Sequence, residues 1–207
     1  AIIGQKTPRT AASYVPEFES TLPKERLSVE DFAKRISEFY LKQWEKNMPP
    51  IEKLGKIPNM TFVVAGFDEN EVLGKVFVID IPRKPEPQER SAGGTFGMTF
   101  GGQTEIVTRL MMGYDLRLPN MLKKELGLND EQQKKFDTVI NSYRSNVPFQ
   151  IFALQDCIDL ASFYIKTTVE AQRLSVGIRG VGGEIDIAII KRNKPLEFIR
   201  RKKEHIT

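Results

Sequence analysis

The stretch from Ala153 to Ile190 limits what this chain can become more than any other. It reads ALQDCIDLASFYIKTTVEAQRL, then SVGIRGVGG, then EIDIAII. Leu154, Ile158, Ala161, Ile165 and Val169 return at three- and four-residue steps, the spacing of one helical face. Leu160, Phe163 and Tyr164 widen that face, so the helix is expected to lie covered on more than one side. Gly177, Gly180, Gly182 and Gly183 then open a backbone path that few other residues can follow. Ile185, Ile187 and Ile189 alternate with Asp186 and Ala188, which predicts a strand over 184–190 with one face in a core.

Taken from its start, the chain gives Ala1-Ile2-Ile3-Gly4 the look of a strand end. Thr7-Pro8-Arg9-Thr10 can open a helix whose buried face would be Ala11, Ala12, Val15 and Phe18. Pro16 makes that helix kinked or short, and Pro23 closes it. A second helix begins at Ser28, a residue that can cap, with Asp31 three residues on to answer it. Val29, Phe32, Ala33, Ile36, Tyr40 and Trp44 make its core stripe, and Asn47-Met48-Pro49-Pro50 ends it. Two strands are then predicted, MTFVVAGF over 60–67 and VLGKVFVIDI over 72–81, joined by the polar turn Asp68 to Glu71. Pro82, Pro85 and Pro87 suggest a stiff, exposed connection after them. Gly93, Gly94, Gly97, Gly101 and Gly102 lack the lysine and spacing of a phosphate loop, so close strand packing or a bulge is expected there.

Residue counts exclude several chemistries. A single cysteine, Cys157, rules out an internal disulfide and a cysteine-based zinc site; mid-helix, it reads as a small buried apolar residue. His205, the one histidine, lies near the end of the sequence, which argues against Ser-His-Asp, Cys-His and multi-histidine metal chemistry. No catalytic, cofactor-binding or metal-binding residue is assigned, and no cofactor is expected. No apolar run approaches the ~20 residues of a membrane span, and no signal segment opens the chain, so a cytoplasmic protein without membrane contact is expected. Lys191, Arg192, Lys194, Arg200, Arg201, Lys202 and Lys203 face only Glu197 and Glu204 in a basic end over 191–207. Without stacking aromatics beyond Phe198, that end reads as a solvated strand and tail, and a nucleic-acid partner is not expected.

Several of these features together resemble the proteasome-type subunits of the N-terminal-nucleophile hydrolase family. The resemblance is carried by Ala65-Gly66-Phe67-Asp68 at a strand end and Asp80-Ile81-Pro82 at the next. Phe100-Gly101-Gly102-Gln103 looks like a strand running into the helix TEIVTRLMMGYD, and Val181-Gly182-Gly183 follows the long helix. The order helix, helix, strand, strand, strand, helix, helix, strand would span Ile3 to about Phe198, with a helical insertion at about 115–146. Asn129 and Gln132 can cap a helix there that runs through Tyr143.

The resemblance implies an α+β fold: one domain over 1–207 built as a four-layer αββα sandwich, two antiparallel sheets flanked by helices. It also implies self-assembly into rings or a smaller homo-oligomer, and a threonine-type peptidase whose α-amino group, with a pKa of about 7.7, serves as base. Departures accompany it. Ala1 has no hydroxyl, and the family's first strands, with nucleophile, aspartate and lysine, are expected upstream of Ile3, as a bound segment or partner chain. Ile178, Val181 and Gly102 stand where active subunits carry polar supports. Two function classes follow: a peptidase acting on peptides whose catalytic segment is not in this chain, or a non-catalytic scaffold or assembly protein of the same fold.

Overall fold

A Ser28 side chain that accepts the Asp31 N–H at 3.0 Å starts helix α2 (Val29–Asn47), as the cap pattern predicts. The computed structural model describes residues 10–50, 59–90, 96–176 and 180–201. Buried positions on α2 are Val29, Ala33, Ser37, Tyr40 and Trp44, one stripe at helical spacing. Before it, a single 3₁₀ turn (Ala11–Tyr14) runs into α1 (Val15–Ser20), with Pro16 in the first turn, where a missing N–H is harmless. The short alternative for this helix is the one observed.

The stripe of α2 lies on one face of a three-stranded antiparallel sheet of β1 (Met60–Gly66), β2 (Lys75–Ile81) and β3 (Lys84–Glu89), in that order. Met60 pairs with Ile81 and Gly66 with Lys75, so the register is unbroken across β1 and β2. Ile79 and Ile81 are completely buried, and Tyr40 packs at a tilt against Phe62 with ring centroids 4.4 Å apart. Each such side chain contributes about 1.5–3 kcal/mol by leaving water.

Three expectations need correction here. The second strand begins at Lys75, not Val72, because Asn70 turns through φ 65° and Gly74 sits against the Gly66 carbonyl. Pro85 and Pro87 belong to a strand, not to a connection. The Pro85 carbonyl accepts from the Ser37 hydroxyl of α2, so it is turned away from β2, and Pro87, two residues on, shares that orientation. An edge strand tolerates a missing N–H on that side. Finally, residues 96–104 form no strand before the next helix; the third strand is β3.

Contacts group the chain into two compact units, one reaching up to Thr99 and including Ile189–Glu197, the other Phe100–Ala188 with residues from Phe198 on. In the second, α3 (Glu105–Met112) packs on α6 (Leu154–Leu174), burying Val107, Thr108, Tyr164 and Thr168. Gly113 ends α3 at φ +77°, and α4 (Arg117–Glu125) follows through a turn where Asp115 binds Arg109 and Arg117, both at 2.7 Å. These charges hold the Asp115 carboxyl far below the usual carboxylate range, Arg117 foremost. Helix α5 (Asp130–Asn141) opens with the expected capping box, Asn129 and Gln132 each bonding the other's backbone at 3.0 Å. Both α4 and α5 fall within 115–146.

Cover on more than one side is not what α6 has. Phe163 is half exposed, and Leu154 and Ile165 nearly so; among the described residues the helix packs against α3. Cys157 is likewise exposed, not buried, because it sits on an open turn of that helix. Strand β4 (Ile187–Ile189) is shorter than the predicted 184–190 and, among the described residues, pairs with β5 (Glu197–Arg200) alone. Among the described residues the class is α+β, with six α-helices and two small antiparallel sheets. No helix among them is long and apolar enough to cross a membrane.

Candidate functional site

Strand β1 is apolar along almost its whole length, yet among the described residues it pairs with β2 alone. Its other edge opens into a cleft of about 530 Å³. Val64 lines it from the inner face and Val63 and Ala65 from the outer face, so the cleft wraps the strand's edge. Leu27, Phe32 and Ile36 form the opposite wall, supplied by α2 and the loop before it. Outward on the same sheet, Val63 pairs with Val78 and Ala65 with Val76. Val63 is 53% exposed, so this apolar strip is only partly covered. A strand with bare backbone groups and flanking apolar pockets is suited to receive another extended segment.

Beyond Gly66 the character changes. A second cleft, about 510 Å³, shares Ile190 with the first and is lined by Arg26, Lys191 and Lys194 above Phe67 and Pro195. Arg26 donates to the Phe67 carbonyl at 2.8 Å, which fixes its guanidinium at the rim. Lys191 is paired with Glu197 at 3.0 Å, whereas Lys194 has no ion pair among the described residues. Asn193, at φ 56°, sets the turn that presents these lysines. The cleft therefore keeps a surplus of positive charge over an apolar floor, which favours carboxylates or phosphates.

Asp68 joins the two clefts to the fold. Its carboxylate accepts the Val29 N–H at 2.7 Å and bonds Lys75 at 2.8 Å. Lys75 first, then Val29, holds the Asp68 carboxyl below its ordinary range, and Asp68 in turn raises Lys75. Gly66 lies where α2 crosses β1: a Cβ there would stand 3.0 Å from Val29 Cγ2, which would have to give way. The Ala65-Gly66-Phe67-Asp68 sequence thus marks a built corner. In the sequence Lys191 and Lys194 read only as part of the basic end, and Arg26 carries no signal; what brings the lysines to Arg26 is the turn at Asn193, at φ 56°.

The second unit holds the other motif residues. Gln172 on α6 accepts the Gly180 and Val181 N–H groups at 2.9 and 3.0 Å. A Cβ on Gly180 would lie 2.9 Å from the Gln103 amide nitrogen, so the Gly102–Gln103 junction and the glycine turn adjoin. Gln103, Thr168 and Gln172 share a cleft of about 260 Å³ there. Gln103 belongs to the junction motif read from the sequence; Gln172, which carries no spacing signal, was missed. Gly97, Gly101 and Gly102 have open space where a Cβ would be, so close packing does not explain them; Gly102 serves a left-handed turn at φ +77°. Ala1, Gly93, Gly94, Ile178 and His205 lie outside the described residues. No group of three or more histidine, cysteine, aspartate or glutamate residues among the described ones could hold a metal ion.

Compared with known proteins, the chain matches no family model, no curated protein and no solved structure.

Proposed function

We propose that this chain is a structural subunit of a proteasome-like assembly, with the four-layer αββα sandwich of the N-terminal-nucleophile hydrolases. The free edge of β1, with its apolar cleft, carries the reading: a sheet built this way is completed by another strand. The outer strip of Val63, Ala65, Val76 and Val78 supports it, because a sandwich needs an apolar face on the side of the sheet away from α2. The Ala65-Gly66-Phe67-Asp68 corner supports it further, since the family motif falls where α2, β1 and β2 are tied together.

The test is the oligomeric state of the encoded full-length protein by light scattering, wild type beside Val63→Asp. Val63 is exposed, so the substitution leaves the fold intact by circular dichroism. Self-association of the wild type that the aspartate abolishes is the expected result. A wild type that stays monomeric at every concentration would refute the reading.

A second reading, a threonine-type peptidase, is favoured by one observation. The Gly102–Gln103 junction and the Gly180–Val181 turn adjoin, as the resemblance implies for the surroundings of the catalytic amine. Fluorogenic peptides offered to the encoded full-length protein, with a threonine-directed covalent inhibitor as control, decide it. Inhibitor-sensitive turnover would establish the peptidase; its absence would leave the structural role.

A further inference from the structure

Along β1, the apolar cleft and the basic cleft are consecutive. Ala65 lines the first and Gly66 the second, while Ile190 is a wall of both. A strand laid on the free edge of β1 therefore meets apolar walls opposite Val63 and Ala65. Past Gly66 it meets Arg26, Lys191 and Lys194. We propose that the partner strand is acidic at the end that passes Gly66 and alternates apolar residues along the rest.

This inference rests on the strand-completion reading above and adds the partner's chemistry and direction. β1 already pairs antiparallel with β2, and antiparallel ladders are the more stable per residue. An antiparallel partner begins opposite Gly66 and runs toward Met60, so its acidic residues precede its apolar stretch. Arg26 is held in place by the Phe67 carbonyl and keeps donors free for a carboxylate. Lys194, without an ion pair among the described residues, supplies the second contact. Phe67, Ile190 and Pro195 add apolar surface beside these charges.

Fluorescence anisotropy with two labelled synthetic peptides tests it. One has three glutamates followed by alternating valine and threonine over the seven-residue length of β1; the other has three lysines in place of the glutamates. The glutamate peptide is expected to bind at least about tenfold more tightly, with a preference that weakens as salt is added. Lys194→Glu and Arg26→Glu should each erase most of that preference, and both residues are exposed, so folding is preserved. Equal binding of the two peptides, unmoved by either substitution, would overturn the acidic partner and leave strand completion standing. Binding of neither peptide, with no effect of Val63→Asp on self-association, would overturn both.

Discussion

The Asp68 carboxylate accepts the Val29 N–H at 2.7 Å across 39 residues of sequence. Val29 is the first residue of α2, so its N–H has no partner within the helix. Ser28 satisfies Asp31, and Asp68, two residues past β1, satisfies Val29. Helix and sheet are thus joined through a donor that every helix leaves open.

This bond makes stability depend on pH. Asp68 is 15% exposed, and Lys75 and then Val29 lower its pKa in the folded state. A lowered carboxyl stabilises fully above its unfolded pKa of about 3.9, and the gain is lost as pH falls through the folded value. Lys75 has the opposite sign: raised, it contributes below its unfolded pKa and loses that contribution as pH rises through the folded one. Asp68→Ala should destabilise by about 1–2 kcal/mol at neutral pH, as loss of a charged cap does. Urea melts at several pH values check it: the gap between wild type and variant should begin to shrink near about pH 4 and close only below the lowered folded-state value. A gap that persists in acid would mean that packing, not charge, makes the difference.

Gly66→Val should loosen the same corner. Its Cβ would stand 3.0 Å from Val29 Cγ2, and the two further methyl groups leave no room for α2 at its present distance from β1. Over-packing of this kind typically costs about 1–3 kcal/mol. The midpoint of thermal unfolding should fall, and the Val29 amide should exchange faster with solvent. An unchanged midpoint would show that α2 can shift freely over the strand.

Local patterns in the sequence translated well into structure. Ser28 with Asp31 and Asn129 with Gln132 are contacts across three residues, so chain geometry alone decides them. The α2 stripe follows from periodicity in the same way, whereas the connection between β1 and β2 runs on to Gly74, past the predicted turn at Asp68 to Glu71. Prolines misled because their effect depends on which way a strand faces, and Pro85 declares that only through Ser37. The basic cleft was illegible as a site, since Arg26 and Lys194 lie far apart in sequence and meet only in the fold. Cys157 shows the same limit: a small apolar residue in a helix is exposed or buried according to what packs on that turn.

Because Cys157 is exposed, its thiol should be open to reagent in the native protein. Ellman's reagent is expected to react with one thiol per chain at nearly the rate seen in denaturant. Reaction only after unfolding would show that this turn of α6 is covered in solution. Protection that appears as protein concentration rises would place α6 in a contact between copies.

Gly113→Ala should destabilise the second unit on two counts. Gly113 sits at φ +77°, where a side chain costs about 1–2 kcal/mol. A Cβ there would also stand 2.5 Å from the Tyr143 carbonyl oxygen, which is backbone and cannot swing aside. Ser145 holds that segment against α3, its N–H on the Met111 carbonyl at 2.8 Å and its hydroxyl on Leu110 at 2.6 Å. Relief of the contact therefore means breaking these bonds. Gly113→Asn separates the two causes, because asparagine tolerates the left-handed region better than alanine does. If φ alone mattered, asparagine would restore most of the stability. The crowding at Tyr143 applies to any Cβ, so both variants should be destabilised, by about 2 kcal/mol or more once the collision is added to the strain. Limited proteolysis between α5 and α6, read beside thermal melts, checks this: cleavage near Tyr143 should rise in both variants. Recovery in the asparagine variant alone would reduce the account to backbone conformation.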